Sequence, residues 1–344
     1  MRYLKLGSSD LNASVIGMGA WAIGGGSSWG SHVDDDLAIQ TIEKALDMGI
    51  NFFDTAPGYG WGHSEKLLGR VIQGRRDQFI VATKCGLWWD DQRGSFFTVL
   101  EGRPIYRSLR PDTIAIEIER SLKNLNTDFI DLYQIHWPAV EPEKTPIAET
   151  MQTLTKLIDE GKVRAIGVCN VSADELQQYL DCGKVVTDQF RYSMLYREAE
   201  QEILPLCQRH GISTLTYMSL EQGLLTGKVT MDSVFEEGDF RTNAVWNPWY
   251  SPVNRRRVID LLEGWQPLCE KLNCNLSQLV LAWTLAQDGV THALAGARRP
   301  EQIEQNAAAA DLSLDSQTLQ RINQDLLEIS AELAQQQSPR VLPT

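Results

Sequence analysis

Asp54, Tyr59, Lys84 and His136 are the residues of this chain whose types and order suggest a reaction. Each closes or closely follows a short apolar run rich in strand-forming residues. Together they meet the needs of carbonyl reduction, which requires a hydride donor and, beside it, a proton donor for the developing alkoxide. A tyrosine phenol, with an ordinary pKa of about 10, is a weak acid near neutrality. A neighbouring Lys84 ammonium would favour the phenolate and bring that pKa down toward a working range. Asp54 would pair with Lys84 and keep it charged and oriented. His136 would hydrogen-bond the substrate oxygen and polarise it. Singly, each residue has an ordinary structural explanation: a helix cap for Asp54, turn packing for Tyr59, snorkelling for Lys84, a core histidine for His136. Their joint placement argues for a site.

Eight apolar, β-rich runs would position them, at 14–17, 50–53, 79–83, 129–135, 163–168, 185–188, 213–216 and 292–295. Helix-period segments lie between the runs. Ile114, Ile118, Leu122 and Leu125 recur at helical spacing, as do Ile147, Met151, Leu154 and Ile158, with Gly161 placed to stop the second helix. Ser172-Ala173-Asp174-Glu175 reads as a capping box, and Asp34, Asp35 and Asp36 as the cap and first turn of the first helix. Eight strands alternating with helices predict an α/β fold, a (β/α)8 TIM barrel, as a single domain over residues 1–344. A short strand or hairpin is expected over residues 1–12 and a frayed tail over 335–344. Long irregular loops after the third and seventh strands, 86–110 and 228–257, are expected to cover the substrate. Barrel enzymes place their working groups at the C-terminal strand ends. Here those positions carry Gly19, Asp54, Lys84, His136, Asn170, Gln189, Tyr217 and Gly296.

These segments resemble the aldo-keto reductase superfamily. Asn51-Phe52-Phe53-Asp54-Thr55-Ala56-Pro57-Gly58-Tyr59-Gly60 is similar to its aspartate–tyrosine signature, Val81-Ala82-Thr83-Lys84 to its lysine strand, and Asp131-Leu132-Tyr133-Gln134-Ile135-His136 to its histidine strand. Gly161 to Asn170, Gln222 to Lys228 and Gly296 to Gln302 extend the likeness over about residues 1–330. It is strongest to a bacterial branch that includes inositol-operon and methylglyoxal reductases. The resemblance implies a barrel that binds an extended nicotinamide dinucleotide, NADPH with NADH as the alternative, without a Rossmann domain. Asn170 and Gln189 would hold the carboxamide, and Tyr217 would stack under the ring. Leu220, Gln222, Gly223, Leu225 and Gly227 would line the pyrophosphate. Arg298, Gln302 and Asn306 would reach the adenosine end, where Arg298 suits a 2′-phosphate. Gly19, Ala20, Trp21 and Gly296 are further cofactor-binding candidates. Cys169 stands where the family usually has Ser, and Tyr217-Met218-Ser219-Leu220 replaces a common Tyr-Ser-Pro-Leu.

Composition narrows the alternatives. With 32 Lys plus Arg against 45 Asp plus Glu, the net charge of −13 disfavours nucleic acid as a partner. No run of about 18 apolar residues suggests a membrane span, and no apolar signal segment opens the chain. The six cysteines form no CxxC pair, which fits reduced thiols in a soluble, cytoplasmic protein. The histidines show no metal-ligand spacing, so no metal is expected. Gly17-Met18-Gly19-Ala20-Trp21-Ala22 satisfies a relaxed dinucleotide fingerprint, but Gly24-Gly25-Gly26 would break the helix that a Rossmann site needs. Eight of ten tryptophans fall after expected strands, which suggests an apolar pocket mouth with Trp21, Trp88 and Trp137 facing a small-molecule carbonyl substrate. Two other functions fit the same residues: a cofactor-binding sensor or partner subunit without significant turnover, and a sugar dehydrogenase working in the oxidative direction. The oligomeric state is not legible.

Overall fold

The computed structural model describes residues 1–26, 29, 34–236 and 238–334. The expected tail lies outside the described residues. The chain opens with an antiparallel hairpin, β1 (Tyr3–Lys5) and β2 (Asn12–Ser14). Leu6, Leu11 and Ala13 of this hairpin pack against Phe52, Leu132 and Val186, and so plug the barrel's N-terminal end with apolar side chains.

The barrel begins with β3 (Ile16–Gly19), β4 (Phe52–Asp54) and β5 (Ile80–Cys85). The chain then leaves it to form a three-stranded antiparallel sheet, β6 (Leu87–Trp88), β7 (Ser95–Leu100) and β8 (Arg103–Arg107). It returns with β9 (Ile130–Ile135), β10 (Val163–Cys169), β11 (Thr187–Arg191), β12 (Ser213–Tyr217) and β13 (His292–Gly296). The eight barrel strands are parallel and closed, with β13 pairing back onto β3. All eight expected strands exist, but several extend further toward their C-terminal ends than expected. The run at 185–188, for instance, is observed as Thr187–Arg191. Apolar runs mark burial, whereas ladder hydrogen bonds come from the backbone and continue through polar residues. Asp54, Lys84, Gln189, Tyr217 and Gly296 are therefore the last turns of strands, not the start of loops.

The helices follow their local signals. Helix Pro111–Leu125 starts on proline and stops at Asn126, whose φ of 49° is left-handed. Ser172 and Glu175 form both halves of the capping box, and Asp34 accepts from the Leu37 amide. After Gly19 a helix does begin, Trp21–Gly24, but it ends after one turn at Gly25, which has a φ of 76°.

Both long insertions depart from expectation. The first is the β6–β8 sheet, not an irregular loop. The second holds short 3-10 turns at Phe240–Thr242 and Pro248–Tyr250, and then gives way to helix Pro252–Gly264. Pro252 at the first helical position marks that start, so the insertion ends at 251 rather than 257.

Candidate active site

At the C-terminal strand ends Asp54, Lys84, Gln134 and Gln189 are buried and meet in the interior. Lys84 is fully buried, and its Nζ donates to Asp54 Oδ1 at 2.7 Å and to the Thr55 carbonyl at 2.8 Å. The other carboxylate oxygen, Asp54 Oδ2, accepts from Gln134 Nε2 at 3.0 Å and Gln189 Nε2 at 2.8 Å. Both carboxylate oxygens are thus hydrogen-bonded, as a buried carboxylate requires. Gly167 makes room for this arrangement, because a Cβ there would collide with Thr187 Oγ1 and crowd Gln134 Cγ at 3.0 Å.

Above this floor lie Tyr59 and His136, their rings 6.1 Å apart and nearly perpendicular. Lys84 Nζ lies 5.2 Å from the Tyr59 ring centroid. Burial pushes the Tyr59 phenol up to about 12, the Lys84 charge pulls it back, and the Asp54 charge adds to the rise. This corrects the expectation that Lys84 brings the phenol below its ordinary value: desolvation outweighs the cation. Burial also works to lower Lys84, but the charges of Asp54 and Tyr59 and the Asp54 hydrogen bond prevail, so the ammonium is held above its ordinary pKa. Burial, reinforced by Lys84, drives His136 well below 6.5. The resting arrangement is a protonated phenol, a neutral imidazole and a charged ammonium. It can donate a proton from Tyr59 and a hydrogen bond from His136 to one oxygen.

The site opens into a cleft of about 1000 Å³ that Asp54, Tyr59 and His136 line. Of the proposed cofactor residues, Gly19, Trp21, Asn170, Gln189 and Tyr217 lie on its wall at the catalytic end. Leu220, Gln222 and Gly223 also line it, as do Gly296, Arg298, Gln302 and Asn306. Three do not. Ala20 is buried, with its amide donating to the Asp54 carbonyl and its carbonyl accepting from Ser64. Leu225 is a core residue packed beneath the loop, and Gly227 sits with it, its missing Cβ replaced by the Leu276 side chain. The family resemblance implied a pyrophosphate contact for Leu225 and Gly227, but these two and Ala20 lie behind the residues that line the cleft.

The substrate-pocket candidates divide in the same way. Trp21 and Trp137 line the cleft. Trp88 does not: it is 1% exposed, lies beneath Arg93 and donates to Asp91. Its neighbour Trp89 reaches the cleft instead, because successive residues at a strand end face opposite ways.

Asn170, at a left-handed φ of 59°, donates to the His136 carbonyl at 2.9 Å and accepts from Tyr217 OH at 2.7 Å. These contacts lock three strand ends together. The loop after β12 is more strained, with positive φ at Met218, Glu221, Gln222 and Gly223. A buried ion pair, Arg191–Glu221 at 2.6 Å, and Ser193 hold it in place. Both side-chain amide atoms of Gln222 are buried without a hydrogen-bond partner on this loop. Such orphaned groups fit a polar ligand laid along the cleft, so the residues suit a dinucleotide.

Sequence reasoning missed Gln134, which positions Asp54. The signal was present: Gln134 lies two residues before His136 and pairs in register with Lys84, so it faces the same interior. It also missed Phe97 and Phe240 on the cleft wall, which come from the two insertions, whereas Trp246 was among the tryptophans expected at the pocket mouth.

Comparison with known proteins decides the lineage. The Aldo/keto reductase family's profile matches residues 15–326. The chain belongs to that family. It is 44% identical over 331 residues to the NADH-specific methylglyoxal reductase of Escherichia coli (strain K12), spanning 95% of this chain and 100% of the relative. It is 30% identical to a probable voltage-gated potassium channel subunit beta of Arabidopsis thaliana, over 91% of this chain and 92% of that one. Among solved structures, the glycerol dehydrogenase AKR11B4 of Gluconobacter oxydans superposes with a TM-score of 0.83 at 34% identity, covering 99% of both chains. Family membership makes the protein an aldo-keto reductase enzyme of carbonyl oxidoreduction with a nicotinamide cofactor. Among the described residues, no helix is long and apolar enough to cross a membrane.

Proposed function

We propose that the protein reduces aldehydes or ketones, with Tyr59 as the proton donor. The observation that carries this reading is the buried Asp54–Lys84 pair lying directly beneath Tyr59 and His136. A carbonyl oxygen between the phenol and the imidazole would receive a hydrogen bond from each. As charge develops on that oxygen, the proton at Tyr59 Oη moves onto it, and the fixed Lys84 charge stabilises the phenolate left behind. Asp54, held by Gln134 and Gln189, keeps Lys84 charged and in place. A bound reduced nicotinamide supplies the hydride. Asn170, Gln189 and Tyr217 would hold its nicotinamide end, and Leu220, Gln222 and Gly223 its pyrophosphate.

At the adenosine end, Arg298, Gln302 and Asn306 supply the polar contacts, and Arg298 favours NADPH through a charged hydrogen bond to the 2′-phosphate. NADH is the second reading, favoured by the NADH-specific relative and by Asp239, which lies close enough to feel the Arg298 charge. Arg298→Ala should raise KM for NADPH and spare NADH, at a cost of about 1.5–3 kcal/mol. Equal effects on both, or a wild-type preference for NADH, would overturn the NADPH reading.

Steady-state cofactor oxidation against an aldehyde panel, methylglyoxal and glyceraldehyde included, tests the function itself. The reductase reading predicts turnover. Binding of cofactor without turnover would favour the sensor or partner-subunit role that the channel-subunit relative suggests. Faster oxidation of glycerol or sugars than reduction of their carbonyls would favour the dehydrogenase role.

A further inference from the structure

Ser64 does not line the cleft, and no step of the reaction described above uses it. It is the second residue of helix His63–Val71, whose start carries no side-chain cap. A serine near a helix start ordinarily bonds a backbone group of its own helix. Here both roles of the hydroxyl go to the barrel instead. Ser64 Oγ accepts from Thr55 Oγ1 at 2.8 Å and donates to the Ala20 carbonyl at 2.9 Å. Its backbone N–H donates to the Tyr59 carbonyl at 3.2 Å. Ser64 and Thr55 are both fully buried, so water does not compete for these bonds.

The contacts close a ring around the charged pair. Lys84 Nζ donates to the Thr55 carbonyl, Thr55 Oγ1 to Ser64, Ser64 to the Ala20 carbonyl, and the Ala20 amide to the Asp54 carbonyl at 2.8 Å. Two acceptors orient the Lys84 ammonium. One, the Asp54 carboxylate, is fixed by Gln134 and Gln189. The other, the Thr55 carbonyl, stands just past the end of β4, where the Thr55 amide makes its bond to the Ala82 carbonyl. Beyond it the chain turns through Ala56, Pro57 and Gly58 to Tyr59, and the side-chain bond that holds Thr55 there is the one to Ser64. The turn is also tight on its other side: a Cβ on Gly24 would come within 2.9 Å of the Tyr59 carbonyl carbon. One serine therefore holds the backbone of Tyr59 with its amide and the acceptor of Lys84 with its hydroxyl.

We propose that Ser64 is a positioning residue of the reduction, which holds Lys84 at its working distance from Tyr59 by way of Thr55. The inference rests on the reductase reading and adds to it a residue behind the cleft wall.

The test compares Ser64→Ala with Ser14→Ala, using the aldehyde of the panel that wild type turns over fastest. Ser14 is an equally buried serine at the opposite end of the barrel, where its hydroxyl donates to the Ile16 carbonyl at 2.8 Å and accepts from the Asn51 amide at 3.3 Å. Each change removes two bonds of a buried hydroxyl, so both should lower Tm by a similar few degrees. Ser64→Ala keeps the amide bond to Tyr59 and loses only the ties to Thr55 and Ala20. It should lower kcat by about 10-fold with KM and cofactor Kd unchanged, because orientation of the reacting groups is lost rather than binding. Ser14→Ala should keep kcat within about 2-fold, since it touches no group that acts on the transition state. On a Lys84→Met background, Ser64→Ala should cost less than about 2-fold, because its route to Tyr59 is already gone. Thr55→Val removes the same bond from the other partner, keeps the branched shape and should reproduce the loss in kcat. If Ser64→Ala does not fold, Thr55→Val carries the test in its place. Unchanged kcat in Ser64→Ala and Thr55→Val would overturn the inference and leave the reductase reading standing. So would an equal kcat loss in Ser14→Ala, a rise in KM at constant kcat, or a loss on the Lys84→Met background as large as on wild type. No turnover of any panel aldehyde by wild type would overturn the reductase reading and the inference with it.

Discussion

The barrel floor and the cleft wall are built on opposite principles. On the floor, Asp54, Lys84, Gln134 and Gln189 stand on paired strands, and their hydrogen bonds close on one another. Their geometry is fixed by the sheet register, where Lys84 sits opposite Gln134 and Cys169 opposite Gln189. The wall is built from the insertions after β5 and β12 together with Trp21 after β3 and Trp137 after β9, and is held together by ring contacts and an anchoring ion pair. Ring contacts tolerate exchange of one apolar group for another, whereas a buried charge network does not. The floor is thus suited to fix the reaction, and the wall to vary its substrate.

The contrast can be broken at the floor first. Tyr59→Phe should lower kcat by about 10²- to 10⁴-fold with cofactor affinity unchanged, because the phenyl ring keeps its packing and loses only the proton. Retention of more than about a tenth of kcat would remove Tyr59 from its role. With the phenol pushed up to about 12 and His136 held neutral, the reactive protonation state exists at and above neutrality. Reduction should therefore keep a flat kcat through the ordinary tyrosine pKa of about 10, falling only as Tyr59 loses its proton. A fall centred well below that value would contradict the assignment.

Stability sharpens the same point. Lys84→Met or Asp54→Asn alone leaves a buried group without its partner, and each should cost about 3–5 kcal/mol in urea unfolding. The double variant should lose much less than the sum, and simple additivity would dissolve the pair as a unit. A smaller effect is expected of Gln134→Leu, which frees one side of Asp54. It should lower kcat by about 10-fold with KM unchanged, as expected when a positioning bond to the machinery is lost rather than a substrate contact. A rise in KM at constant kcat would place Gln134 in substrate binding instead.

Most of the floor was legible in the sequence, because strand ends carry a strong local signal. Asp54, Lys84 and His136 each close an apolar run, and register then brings them together. Gln134 was passed over because β9 is buried at every position, so its polar residues Asp131 and Gln134 show no alternation of burial to mark which way each one faces. The wall was harder to read. Trp88 closes the two-residue strand β6 and Trp89 follows it, and no periodicity exists over so short a span to tell which of them faces the cleft. The wall residues Phe97, Trp137, Phe240 and Trp246 are joined by long-range ring packing that composition does not encode. The height of the Tyr59 pKa was misjudged for a related reason: the charge of Lys84 could be read from the sequence, but the depth of burial could not.

The division between floor and wall is tested most directly by measuring kcat/KM for 3-phenylpropanal and butanal in wild type, Tyr59→Phe and Trp246→Ala. Tyr59→Phe should depress both substrates by the same large factor and leave their ratio alone. Trp246→Ala should instead compress the ratio by acting mainly on the aromatic substrate. A ratio that moves in Tyr59→Phe, or equal losses on both substrates in Trp246→Ala, would contradict the account.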